Sequence, residues 1–168
     1  MYQVGELLVY GSHGVCRFLK EDRQVVDRKK VTYLVLEPLG QENARFMVPA
    51  HNPVAMSKLR KLPQREELEA LLDPPEIRNE AWVTDENRRK QLYRELIGSG
   101  DRERLLSMMR AVVRHKEAQA AAGRKCHICD DNFLRDAEKL LTVEVSIVMG
   151  IDADQAKQYI RSRLKEDA

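Results

Sequence analysis

The hydrophobic pattern changes period near Pro63, and that change limits the folds open to the chain. Up to residue 62, β-branched and aromatic residues gather in short runs, GELLVYG, GVCRFLKEDRQVV, VTYLVLEPL and ARFMVPA, separated by Gly, Asn and Pro. Such runs read as strands. Pro49 and Pro53 end the last long strand because proline lacks a ladder donor, and KLRKL adds a short final one. From Pro63 onward the apolar residues recur at helical spacing. QREELEALLD is a short amphipathic segment that Asp73, Pro74 and Pro75 stop.

Four further helices are drawn at about 77 to 97, 101 to 122, 131 to 149 and 153 to 165. In IGSGD, Gly98 and Gly100 supply the left-handed backbone that ends one helix, and Asp101 caps the next. Gly150, then Asp152 with Gln155 three residues on, is a helix stop followed by a capping box. Leu105, Met108, Met109, Val112 and Val113 form one core stripe, and Leu134, Ala137, Leu140 and Leu141 another. The chain is therefore expected to be α+β. A small, strongly bent β-barrel of the SH3 or Tudor type occupies 1–62, a linker with a short helix 63–75, and a compact α-helical domain 76–168.

A composition 43% apolar and 33% charged is that of a soluble globular protein. No apolar run reaches the roughly 18 residues of a membrane span, and MYQVGELLVY lacks the layout of a signal peptide. Three cysteines, Cys16, Cys126 and Cys129, do not make a disulfide framework. Reduced thiols and a cytoplasmic location are expected.

The net charge of +2 hides a segregated distribution. Residues 63 to 87 carry two Lys/Arg against eight acids, whereas residues 88 to 125 carry eleven against four. A basic segment of that density suits a polyanion partner or a solvated helix face. At the switch lies the only tryptophan, Trp82, in NEAWVTDENRRKQ. A lone tryptophan is either a core anchor or an aromatic that meets a partner, and a basic helix led by an aromatic is a device for gripping a minor groove or fork.

Catalytic motifs are absent: the chain has no glycine-rich phosphate loop, no GxSxG and no HExxH. His13 in YGSHGV fills a turn whose backbone angles Gly11 and Gly14 provide. CHIC, residues 126 to 129, places two thiols at metal-binding or redox spacing. With no second CxxC or HxxxH, a closed zinc site on Cys126 and Cys129 needs ligands at non-standard spacing, such as Cys16, His115 or His127; the other readings are a redox disulfide and a pair of reduced cysteines at a helix entrance.

In their order along the chain, VGELLVYGSHGV, KKVTYLVLEPL, MVP followed by NP, Trp82, RRK, SGD and AEKLL resemble the CarD/CdnL family of bacterial transcription regulators. The resemblance implies a Tudor-like RNA polymerase-interacting domain joined to an α-helical DNA-binding domain. The same N-terminal module occurs in the transcription-repair coupling factor, whose helicase motifs this chain lacks. The family contact to the polymerase β subunit, made partly by a sheet edge, falls on Arg45, Phe46 and Met47; some relatives have a basic residue where Met47 stands.

The family's minor-groove wedge at the upstream edge of the transcription bubble falls on Trp82. Phosphate contacts are expected from Arg88, Arg89, Lys90, Arg94, Arg114, Lys116, Arg124 and Lys125. In many relatives the tryptophan stands closer to the Arg pair; the additional residues amount to about one helical turn, which would move the ring about 5 Å along the axis. The expected partners are thus the RNA polymerase β subunit and promoter DNA, with a nucleoid association through polymerase. No cofactor, metal, membrane or small-molecule substrate is implied, and no enzymatic activity. CHIC has no counterpart in the family pattern. A zinc or redox protein centred on Cys126 and Cys129, and an adaptor that binds no DNA and keeps Trp82 in its core, are the alternatives.

Overall fold

The computed structural model describes residues 1–73 and 81–165, and the chain divides into two units, Met1–Leu62 and Pro63–Ala168. The first contains five strands: β1 (Leu7–Tyr10), β2 (Val15–Val26), β3 (Lys29–Pro38), β4 (Phe46–Pro49) and β5 (Leu59–Lys61). They form one antiparallel sheet in the order β4-β3-β2-β1-β5. A short helix α1 (Pro53–Ser57) precedes β5, and the Asn52 side chain caps it by accepting from the amides of Val54 and Ala55.

All five expected strands are present, but the expected barrel is an open sheet. β4 pairs only with β3 and β5 only with β1. The two edge strands are four and three residues long, and no pairing between them closes the sheet. Curvature comes from β2, where the register shifts between Phe18 and Lys20 and so bends the longest strand.

Two turns explain the local chain path. Gly11 and Gly14 both have positive φ around the 3-10 turn Gly11–His13, as the YGSHGV pattern requires. Between β2 and β3, Asp27 and Arg28 both adopt positive φ, at 49° and 64°, which a two-residue hairpin demands for its strands to keep their twist. Leu8, Cys16, Phe18, Leu34, Leu36, Val48 and Leu59 make the core of this unit.

The second unit is helical: α2 (Arg65–Leu72), α3 (Glu86–Ser99), α4 (Arg102–Ala121), α5 (Ile128–Met149) and α6 (Ala153–Lys165). α2 opens with a capping box between Gln64 and Glu67, and its Leu68 and Leu72 lie in the helical core. The short helix of the 63–75 segment is therefore part of this unit. Leu105, Met108, Met109 and Val112 of α4 pack with Ala137, Leu141 and Val145 of α5 and with Ile160 of α6.

The caps fall where the residue types place them. Gly100 is left-handed at the end of α3 and Asp101 accepts from the Arg104 amide at 3.0 Å; Asp152 and Gln155 exchange two hydrogen bonds ahead of α6. Gly98 differs from expectation, since it lies inside α3 and ends nothing.

The helix expected from residue 77 also begins later. Residues 81–85 are not helical, and α3 starts at Glu86 because Asp85 turns its carboxylate onto the Arg88 amide at 2.8 Å. That cap fixes the first turn, with Asp85 itself in extended backbone. The part of the expected helix at 77–80 lies outside the described residues.

Candidate functional site

The segment before α3, the first turns of α3, the last part of α4 and the start of α5 meet around one arginine. Arg89 is 1% exposed and Asp130 is fully buried. The guanidinium donates from Nε to Asp130 Oδ1 at 2.8 Å and from Nη2 to Oδ2 at 3.2 Å, a two-point pair of the kind arginine makes best. Its Nη1 donates to the carbonyls of Val83 and Thr84 at 3.0 and 3.2 Å, which fastens the non-helical segment 81–85 onto α3. The Tyr93 hydroxyl, one turn along α3, donates to Asp130 Oδ1 at 2.7 Å, and its ring stacks on Phe133 at 4.0 Å.

Charge is settled here by pairing. Burial alone raises the Asp130 carboxyl, but the hydrogen bonds from Arg89 and Tyr93 outweigh it and hold the group below the ordinary carboxylate range. Burial, reinforced by Asp130, pushes the Tyr93 phenol well up, so it stays a donor.

Trp82 lies directly against this pair. Its ring stacks on the His115 imidazole with centroids 3.7 Å apart and planes 9° from parallel, and the Arg89 guanidinium carbon is 4.7 Å from its centroid. The side chain is half-buried and packs against the helical core. Burial first, then the Arg89 and His127 charges, hold His115 below its ordinary value, while Asp130 acts in the opposite sense. A neutral imidazole against an indole is the result. The expected extra helical turn between Trp82 and Arg88 is absent: residues 82–85 are not helical and α3 begins only after the Asp85 cap, so facing cannot be carried over by helical rise.

The expected phosphate contacts divide. Arg89 is withdrawn from that role, because it is buried and bound to Asp130. Arg88, Arg94, Arg124 and Lys125 are exposed. Lys90 pairs with Glu86 at 2.6 Å, and Lys116 pairs with Asp131. Arg114 is half-buried. Lys90 and Arg94, one turn apart, share one flank of α3, while Arg88 lies on the other. Two more cations of the basic segment are inside: Arg102 meets Glu144 at 3.0 Å and Arg110 donates to the Leu72 carbonyl at 3.1 Å. The basic run is thus partly a set of core arginines.

In the first unit, β4 offers a free edge. Phe46 turns inward against His13, 4.0 Å between ring centroids, and Val48 is buried, while Met47 between them is 43% exposed. Arg45 pairs with Glu37 and also donates to the carbonyls of Glu42 and Ala44 at 2.9 and 3.0 Å. Of the three residues expected to meet polymerase, Met47 faces outward, Phe46 supports the strand from beneath, and Arg45 is held beside it. His13, expected only to fill a turn, in addition packs the strand's aromatic residue.

Residues 2–60 match the family model of the CarD-like/TRCF RID domain. The N-terminal unit is a CarD-like domain. Domains of this family are RNA polymerase interaction domains of transcription proteins, and the matched span includes all of β1 to β4. No curated protein matches the chain.

Cys126 and Cys129 lie outside the CarD-like unit, at the entrance to α5, and both sulfurs approach Asp130, at 4.0 and 3.6 Å. Among the described residues, no three His, Cys, Asp or Glu side chains are arranged to hold a metal ion. Cys16 is buried in the CarD-like unit, where burial pushes its thiol up to about 11. Sequence reasoning missed Asp130 and Tyr93, and it considered His115 only as a metal ligand, not as the ring on which Trp82 stacks. The available signal was helical spacing, for Arg89, Tyr93 and Leu96 fall on one inner face of α3.

Proposed function

We propose that this chain is a transcription regulator that docks on the RNA polymerase β subunit through the free edge of β4 and contacts promoter DNA at the upstream edge of the open bubble. The CarD-like domain match at residues 2–60 carries the reading. A short edge strand with one outward apolar side chain suits strand addition, where main-chain pairing supplies affinity and Met47 fills a pocket on the partner.

On the DNA side, Trp82 meets the bubble edge and the exposed cations meet phosphates. An aromatic stacked on an exposed base contributes about 1 to 3 kcal/mol, while unstacking a base step costs a few. Trp82 would therefore hold open what polymerase has melted without melting DNA itself. A differential of about 1.4 kcal/mol shifts the open-to-closed ratio tenfold. With Arg88, Arg94, Arg124 and Lys125 as phosphate contacts, affinity for free DNA falls with salt at a log-log slope of about −3.6. Docking on polymerase offsets weak free-DNA affinity by raising local concentration to the order of millimolar.

The stack on His115 favours a second reading, in which Trp82 anchors the segment 81–85 to the helical core and the protein is an adaptor without DNA contacts. Trp82→Ala separates the two. The DNA reading expects a preserved fold and polymerase binding with a shorter open-complex lifetime; the adaptor reading expects lost stability with an unchanged lifetime wherever the variant remains folded.

A further inference from the structure

Cys126 and Cys129 take no part in the proposed polymerase and DNA contacts, yet they touch the groups that seat Trp82. Cys126 stands one residue ahead of His127, the N-cap of α5, and Cys129 lies in the first turn. The two sulfurs converge on one carboxylate: Cys126 Sγ is 4.0 Å from Asp130 Oδ2 and Cys129 Sγ is 3.6 Å from Oδ1. Arg89 Nη2 donates toward Cys129 Sγ at 3.8 Å, and the same guanidinium lies over Trp82. From either sulfur the path to the tryptophan runs through the Arg89–Asp130 ion pair.

Access distinguishes this pair from the third cysteine. Both line an open cleft of about 450 Å³ with Glu86, Lys90, His127 and Asn132, whereas Cys16 is fully buried in the sheet unit. A small reagent can therefore approach Cys126 and Cys129 in the folded protein. Burial, then the Asp130 carboxylate, pushes both thiols above their ordinary range, so they rest protonated and exchange slowly at neutral pH.

We propose that Cys126 and Cys129 form a thiol–disulfide switch, closed by exchange with a low-molecular-weight disulfide, that sets how firmly Asp130 holds Arg89 and so how Trp82 is seated. In the first step one cysteine, having released its proton, attacks a sulfur of the reagent; the reagent's S–S bond breaks, and the departing thiolate takes up a proton. In the second, the other cysteine releases its proton and attacks the mixed disulfide, expelling the second reagent thiolate, which is protonated in turn. Two protein thiols are oxidised to one disulfide, and one reagent disulfide is reduced to two thiols.

Closure removes the S–H donors from both oxygens of Asp130 and draws Cys129 sulfur away from Arg89. The carboxylate keeps Arg89 and Tyr93 but loses one sulfur partner on each oxygen, Cys129 on the Oδ1 it shares with Tyr93 and Cys126 on Oδ2, and the seat of Trp82 loosens. Only the consequence for DNA rests on the function proposed for Trp82.

The test uses the full chain, reduced and then incubated with glutathione disulfide. Intact mass should show net loss of two hydrogens with two equivalents of glutathione released, and alkylation should find Cys126 and Cys129 blocked while Cys16 is free after denaturation. Cys126→Ser should stop at a mixed disulfide on Cys129, and Cys129→Ser at one on Cys126. The Trp82 emission maximum should move to the red in the oxidised wild type and stay in place in either treated serine variant.

Unreactive thiols, stable mixed disulfides on the wild type, or protection by stoichiometric bound zinc would overturn the switch. A disulfide that forms with no change in Trp82 emission would overturn its coupling to the tryptophan. Failure of the proposed function reads differently: the disulfide and emission change appear, but neither redox form alters open-complex lifetime.

Discussion

Arg89 and Trp82 belong to one assembly: the guanidinium that binds Asp130 at 2.8 and 3.2 Å also lies 4.7 Å from the indole centroid. The arginine that lies over the tryptophan is thus occupied in holding it and is not available to phosphate. A basic run beside an aromatic combines a structural arginine with a surface array, and the two parts answer differently to mutation.

Breaking the pair should be costly. Arg89→Ala or Asp130→Ala leaves a buried charge without its partner and should lower stability by about 3 to 5 kcal/mol. Replacing both together with apolar residues of similar size should cost much less. Urea denaturation of the two single variants and the double variant checks this; equal losses in all three would show that volume, not charge, dominates.

His115→Ala should release one face of the indole. Loss of the stack is expected to cost about 0.5 to 1.5 kcal/mol beyond lost area, with a red-shifted and more readily quenched Trp82 emission. An unchanged spectrum would mean that the stack does not hold the ring in solution.

Acid should weaken the helical unit in two stages. His115 titrates below its unfolded value of 6.5, so the unfolded chain binds more protons and stability falls as pH drops from 6.5 through the folded value. Asp130 also has a lowered folded value, relative to 3.8, so a further loss follows in the more acidic range. The first stage should vanish in His115→Gln and the second should remain, as thermal unfolding across pH will show.

On the β4 edge, Met47→Glu should weaken binding to the polymerase β subunit by at least about tenfold, roughly 1.4 kcal/mol, without changing thermal stability. Val54→Glu, at another exposed apolar position, provides the control and should bind as wild type. Equal losses for the two would point to a general charge effect and away from a β4 contact.

Much of the fold was legible because it depends on local chemistry. The change of period at Pro63 separates strands from helices, and the Gly100–Asp101 and Asp152–Gln155 signals mark real helix ends. Closure of the sheet was not legible, since it depends on whether two short edge strands meet. The Trp82 site was half legible. Trp82 drew notice by its cost in water, but the fate of Arg89 depends on Asp130, forty-one residues away, and residue type alone placed the arginine outside. Arg102 repeats the lesson: its partner Glu144 sits on α5, forty-two residues away, between exposed Val143 and buried Val145.

The most direct test of the central claim is the lifetime of a promoter open complex after competitor challenge, measured without the protein, with wild type and with Trp82→Ala. A bubble-edge role for Trp82 predicts a longer lifetime with wild type and a loss of most of that gain with Trp82→Ala, while both proteins bind the β subunit equally. A Trp82→Ala protein that is folded, binds polymerase and lengthens the lifetime as much as wild type would contradict it.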